Sequence, residues 1–327
     1  MGIISNTSSE GVTPKLIRLI TALIAVSILF TCFNVMGASA AEAASTETSA
    51  QTAAATTDTA KTTTTATTTT TASTPKITLK APKFVAEAKY DSAATHPYNK
   101  QTSQLIVRYK AVKNAAKYQL YIKGGKYKKW TKVKTTTALK VKVTGLKRGT
   151  TYSFKVRAVN GSVKSAFSST QKLKTAVMNF DKAGFQAICR IVYHEVGGMA
   201  GDFWDKPIVY VSDCVVNRFV AAKYTKVGVW ASYYKNYSTV QDMIYNSGNF
   251  MSSWGLAADG AVYSNVPKRV KLAAYGALYN KAALKSIKND GTIYYWCNRP
   301  YYQSDSRIAY SFQIPWGYFN IWREYWG

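Results

Sequence analysis

Glutamates are scarce in the second half of this 327-residue chain: between Val177 and Gly327 there are two, Glu195 and Glu324, the latter among the last few residues. Phe185, Ile188, Ile191, Val192 and Glu195 recur at helical spacing, and Gly197-Gly198 is expected to stop that helix. An otherwise apolar face disfavours an ionised carboxyl, and the negative end of the helix dipole does the same, so the position suits a proton donor near neutral pH. A salt-bridged glutamate closing the helix would use the same residue for structure alone. Asp202, Asp205 and Asp213 are the second carboxylates on offer should the chemistry need a pair, although Asp213 with Asn217 at i+4 is expected to brace its own helix. His194 lies about 100° round the helix from Glu195 and is expected to be a satisfied or surface histidine. One histidine and the scattered Cys189, Cys214 and Cys297 do not make a zinc site, so neither metal nor cofactor is expected, and three cysteines permit at most one internal disulfide.

The elements that must hold these residues are mainly helical. A second helix is expected over Ile208 to Ala222, with Val211, Cys214, Val215, Arg218 and Phe219 at helical spacing. Ser238-Thr239-Val240-Gln241 reads as a capping box opening a short third, and Asn265 with Pro267 opens a fourth whose apolar face is Val270, Ala274 and Leu278. After the turn signal Asn289-Asp290-Gly291, the aromatic runs Thr292 to Trp296 and Ile308 to Ile314 read as strands. Residues 177–327 are thus an α+β, mainly helical domain.

The first half is built differently. Lys15 and Arg18, the apolar run Leu19 to Val35 and the small residues Ala38-Ser39-Ala40 read as a signal peptide over residues 1–40, with an uncleaved anchor as the alternative. Residues 41–75 are little but Ala and Thr, with no large side chains to offset their ordering entropy, and are expected to be a disordered linker. From 76 to 176 the apolar residues alternate: Leu105 to Tyr109, Tyr118 to Ile122, Leu139 to Val143 and Tyr152 to Ala158 read as half-buried strands of an all-β sandwich. The stretch Thr144-Gly145-Leu146-Lys147-Arg148-Gly149-Thr150-Thr151-Tyr152 resembles the tyrosine corner of fibronectin type III domains, with Tyr109 where that family has its core Trp. Between Pro75 and Ala176 there are 24 Lys and Arg against Glu87 and Asp91, so +22 of the net +27 sits in this module. A surface of one sign attracts polyanions. Export argues against nucleic acid and for an anionic wall polymer such as teichoic acid, held by salt-sensitive attraction.

Three segments of the helical domain carry a second resemblance. Ile188-Cys189-Arg190-Ile191-Val192-Tyr193-His194-Glu195-Val196-Gly197-Gly198, then Val215-Val216-Asn217-Arg218-Phe219, then Tyr245-Asn246-Ser247-Gly248-Asn249-Phe250-Met251-Ser252 look like the spore-cortex lytic enzyme (SleB-type) family of cell-wall hydrolases. The resemblance implies a lysozyme-like fold that cuts the β-1,4 bond between N-acetylmuramic acid and N-acetylglucosamine, with Glu195 as general acid/base and Asn249 and Phe250 lining the glycan cleft. Trp254, Tyr301 and Tyr302, in loops, are further candidates for stacking on sugar rings. Met199 stands where the family has a second Glu, some four extra residues separate Glu195 from Asn217, and Ser311 stands where a His is expected.

These readings combine into a multidomain, secreted, cell-wall-associated chain. A fibronectin type III-like sandwich precedes a lysozyme-like domain that acts as a lytic transglycosylase or muramidase on peptidoglycan glycan strands, as a monomer. The alternatives are a wall-binding surface protein with a degenerate hydrolase domain, and an extracellular adhesin resting on charge and stalk alone.

Overall fold

Alternation between Leu105 and Lys174 folds into strands because every second side chain finds a partner across a sandwich. In order these are β1 (Leu105–Arg108), β2 (Lys117–Gly124), β3 (Tyr127–Thr136), β4 (Lys140–Val143), β5 (Thr151–Asn160), β6 (Val163–Lys164) and β7 (Gln171–Lys174). β1 pairs antiparallel with β4, and the facing sheet runs β3-β2-β5-β6 with β7 also on β5. Val107, Leu120, Ile122, Val141, Phe154 and Val156 fill the space between. Tyr109 is buried with its ring 5.0 Å from that of Tyr118 and its hydroxyl donating to the Ala138 carbonyl at 2.8 Å. The Tyr152 hydroxyl accepts from the Lys147 amide at 2.9 Å, which closes the expected corner. The sequence reading did not include β3. Its run of lysines and threonines shows no alternation because, as an edge strand, it is half-buried only at Tyr127, Trp130, Val133 and Thr136.

The computed structural model describes residues 77–88, 90, 98, 101–197, 201–250 and 262–324. The expected leader and linker, together with Met199 and Trp254, lie outside the described residues. Among those residues no helix is long and apolar enough to cross a membrane.

After the sandwich come α1 (Lys182–Val192), α2 (Asp205–Val220), α3 (Val229–Tyr233), α4 (Val240–Asn246) and α5 (Lys268–Tyr279), then β8 (Tyr295–Arg299), β9 (Ile308–Ile314) and β10 (Gly317–Trp322). Asp181 caps α1, its Oδ1 accepting from the Gly184 amide at 2.7 Å. α2 begins three residues before the expected Ile208, because Pro207 sits in its first turn, where a missing N–H costs nothing. The box that opens α4 is displaced by one residue from the expected one: Thr239 Oγ1 accepts from Asp242 N, and Asp242 Oδ2 accepts from Ser238 N. The first C-terminal strand is likewise shifted, from 292–296 to Tyr295–Arg299.

The central strand of the final sheet, in order β8-β10-β9, is one the sequence reading missed. It begins at Gly317 (φ +139°), where a Cβ would lie 2.0 Å from the Arg299 carbonyl oxygen, so only glycine lets the two strands approach. Residues Ala72–Gly327 form one unit in which the two regions interlock. Ala176 N donates to Gln101 O at 3.0 Å, Val177 N to Leu278 O at 2.9 Å, and Arg148 Nη1 to Val177 O at 3.0 Å. Tyr98, from the sandwich side, is buried in the helical core against Phe180 and Phe185.

Candidate functional site

α1 does not continue as an α-helix to the expected glycines. It widens into a π-turn over Tyr193–Gly197, and Glu195 sits in the middle of that turn, half-buried. A π-turn inserts one residue per turn and so re-aims the side chains that follow it. Glu195 meets the sheet there: the Trp296 indole Nε1 donates to Glu195 Oε2 at 3.1 Å.

Trp296 is placed by α2. Asn217 Nδ2 donates to the carbonyls of Asp290 and Ile293, both at 2.9 Å, and Arg218 Nε donates to the Tyr294 carbonyl at 2.5 Å. Adjacent residues of one helix thereby fix the chain that enters β8 two residues before Trp296. Asp213, one turn earlier, accepts from Asn289 Nδ2 at 2.7 Å and from the Asp290 amide at 2.8 Å. Burial pushes the Asp213 carboxyl up to about 8, against the pull of those two donors. The sequence reading had Asp213 and Asn217 bracing their own helix; they brace the Asn289–Gly291 turn instead.

Arg218 is 2% exposed, and its guanidinium lies 4.5 Å from the Trp230 ring centre, 4.6 Å from Trp296, 5.2 Å from Phe250 and 5.6 Å from Tyr295. A buried cation needs such compensation, and ring faces supply it. Phe250 is therefore at the site, packed 6.1 Å from Trp296, but beneath the surface rather than open to a ligand. Asn249 beside it is exposed and turned back on Ser247, donating to the Ser247 carbonyl at 3.2 Å. Tyr302 is exposed on the loop between β8 and β9, edge-on to Tyr318 at 5.4 Å.

Two of the candidate second carboxylates are held elsewhere by cations. Lys285 Nζ lies 2.5 Å from Asp202 Oδ1 and 3.0 Å from Asp205 Oδ2, and Arg269 pairs with Asp205 at 3.9 Å. The hydrogen bond from Lys285 holds the Asp202 carboxyl below its usual range. His194 is half-buried, with its Nε2 buried and lacking a hydrogen-bond partner. Ser311 pairs across the sheet with Asn320, one residue along from the Tyr310–Ile321–Trp296 row, so it lies on the opposite face from Trp296. Its hydroxyl, and both polar atoms of the fully buried Asn320, lack partners. No disulfide joins Cys189, Cys214 and Cys297 to one another. Among the described residues no cluster of His, Cys, Asp or Glu could hold a metal ion.

Sequence reasoning named Glu195, Asn217, Arg218 and Phe250 but missed Trp296. Its signal was the last position of the aromatic run Thr292 to Trp296, which had been assigned to a strand and not to the site.

No protein-family model matches the chain, and no curated protein matches it. Similar solved structures include the crystal structure of FN3tt, 26% identical over 32% of this chain and 99% of that one (TM-score 0.24). The FN5 domain of Drosophila Lar is 20% identical over 30% and 97% (TM-score 0.23). A fibronectin type III domain of human fibronectin type III domain containing protein 3 is 19% identical over 32% and 91% (TM-score 0.23). The sheet-rich region is thus similar to fibronectin type III domains, and a helical region follows it.

Proposed function

We propose that the chain is an exported enzyme that cleaves the β-1,4 bond between N-acetylmuramic acid and N-acetylglucosamine in peptidoglycan, with Glu195 as general acid/base. The reading rests on the sequence segments around Glu195, Asn217 and Phe250 that resemble the SleB-type hydrolases. The observation that supports it best is convergence: all three segments meet β8 at Trp296, through its hydrogen bond to Glu195, the Arg218 guanidinium over its ring and the Phe250 ring beside it. A carboxyl held by an N–H donor is oriented for proton transfer, and geometry is the first requirement of an acid catalyst.

Asp202 and Asp205 are engaged by Lys285 and Arg269, and Asp213 by the Asn289–Asp290 turn. This favours a mechanism with one carboxyl over the two-carboxylate hydrolysis of most glycosidases. Glu195 protonates the bridging oxygen as the C1–O4 bond breaks. The resulting carboxylate takes the proton from the muramic C6 hydroxyl, whose oxygen closes on C1 to give a 1,6-anhydro ring and restores the acid. The basic sandwich would keep the enzyme on an anionic wall polymer. Clearing of a suspension of purified sacculi by the mature chain, lost in Glu195→Gln, tests the reading. Clearing by neither would leave a wall-binding protein with a degenerate hydrolase domain.

A further inference from the structure

The sandwich carries cations on both outer faces, and on one of them, among the described residues, Lys155 and Arg157 are held as a pair against aromatic rings. On the β3-β2-β5 sheet, cross-strand pairing aligns Lys132 with Tyr121 and Tyr121 with Lys155, and the neighbouring row aligns Gln119 with Arg157. The Lys155 ammonium sits among three rings, 4.1 Å from the centre of Phe167, 4.5 Å from Trp130 and 5.9 Å from Tyr121. Arg157 donates through Nε to Gln119 Oε1 at 2.8 Å and through Nη2 to the Tyr121 hydroxyl at 3.1 Å, and lies 5.0 Å from the Phe167 ring centre. Lys117, Lys123, Lys128 and Lys132 are exposed around this pair. Glu87, the module's described acid, is paired away from this sheet with Lys281.

We infer that this face is the docking surface for a linear polyol-phosphate polymer of the wall, a teichoic-acid-type chain, read by its phosphodiester charges. The inference deepens the wall attachment proposed above and is independent of the chemistry at Glu195. Ring-held cations forfeit less side-chain freedom on binding than free lysines do, so charges on this face bind more tightly than equal charges elsewhere. The surface is a strip: ten residues of β3 span about 33 Å at strand rise, while three strands are about 10 Å wide, which suits an extended polymer. Nucleic acid or a sugar-rich polymer would call for open ring faces on which bases or pyranoses stack. Here Lys155 and Arg157 already occupy those faces, leaving charge as what the surface offers.

The test compares two triple variants that remove the same charge. Lys132→Gln/Lys155→Gln/Arg157→Gln strips the ring-held face; Lys110→Gln/Lys140→Gln/Lys142→Gln strips exposed lysines on the β1 and β4 side. Binding of the mature chain to poly(glycerol phosphate) of defined length is titrated over a salt series, with thermal melts to confirm folding. The first variant is expected to weaken binding at least about tenfold and to flatten the log–log salt slope by about 2, the second by no more than about threefold. Equal weakening of the two variants overturns the inference, as does tighter binding of single-stranded DNA or of anionic vesicles than of the polymer. Sacculus clearing with equal weakening would sink this surface and leave the glycan-cleavage reading standing; selective weakening without clearing would do the reverse.

Discussion

At the scale of single residues, the Trp296 N–H helps to orient the Glu195 carboxyl. Trp296→Phe keeps an aromatic ring against Arg218 and Phe250 but removes the donor to Glu195 Oε2. Trp296 is a positioning residue, so kcat is expected to fall about tenfold while KM for glycan hardly moves, the signature of an interaction that matters in the transition state. A matching rise in KM with kcat unchanged would mean that the indole merely packs. Asp213 gives a prediction in the opposite sense, about stability. In the folded chain its carboxyl is raised to about 8 by burial, from the ordinary 3.8. The folded state therefore holds a proton that the unfolded state has released, and the stability from this group is full below about pH 4 and lost as pH rises through about 8. Urea unfolding between those limits should show that decline in the parent chain and a flatter profile in Asp213→Asn; parallel profiles would refute the assignment.

At the scale of elements, what was legible in the sequence is what is one-sided. α5 follows its Val270, Ala274 and Leu278 stripe, all fully buried, and β2 and β5 alternate over most of their length because one face meets a core and the other meets water. Besides the short β6 and β7, two strands escaped notice, and they break that rule in opposite directions. β3 is an edge strand with little to bury, so its lysines look like a loop. β10 lies between two partners, and four of its six residues, Phe319, Asn320, Ile321 and Trp322, are buried in succession, leaving no alternation to read. The site was half legible for a similar reason. Glu195 and Arg218 lie on helices whose spacing displays them, whereas Trp296 reaches them only through a register fixed by Asn217 and Arg218 across more than seventy residues. The π-turn at Glu195 was illegible because Gly197-Gly198 signals an end to the helix and says nothing of how the last turn is wound.

At the scale of the whole molecule, the two regions have separate cores but are not independent. Tyr98 crosses from one to the other, and the Ala176–Val177 junction is hydrogen-bonded to Gln101 on one side and Leu278 on the other. Tyr98→Ala should therefore destabilise the helical region by about 3–5 kcal/mol, as truncation of a buried aromatic does, although the residue lies on the sandwich side. Hydrogen exchange would show it as lost protection in α1 and α5 with β2 and β5 unchanged; loss confined to the sandwich would mean the cores are uncoupled. Coupling of this kind gives the basic sandwich a fixed relation to the helical region, which a flexible tether would not.

The most direct measurement is mass spectrometry of the muropeptides released from purified peptidoglycan by the mature chain and by Glu195→Gln, a substitution that keeps the side chain's size and removes its titratable proton. The account predicts 1,6-anhydro-muramic products from the parent chain and none from the variant. Reducing-end products would instead require a water nucleophile and a second carboxylate, contradicting the single-acid mechanism, and equal release by the two proteins would contradict the role of Glu195 itself.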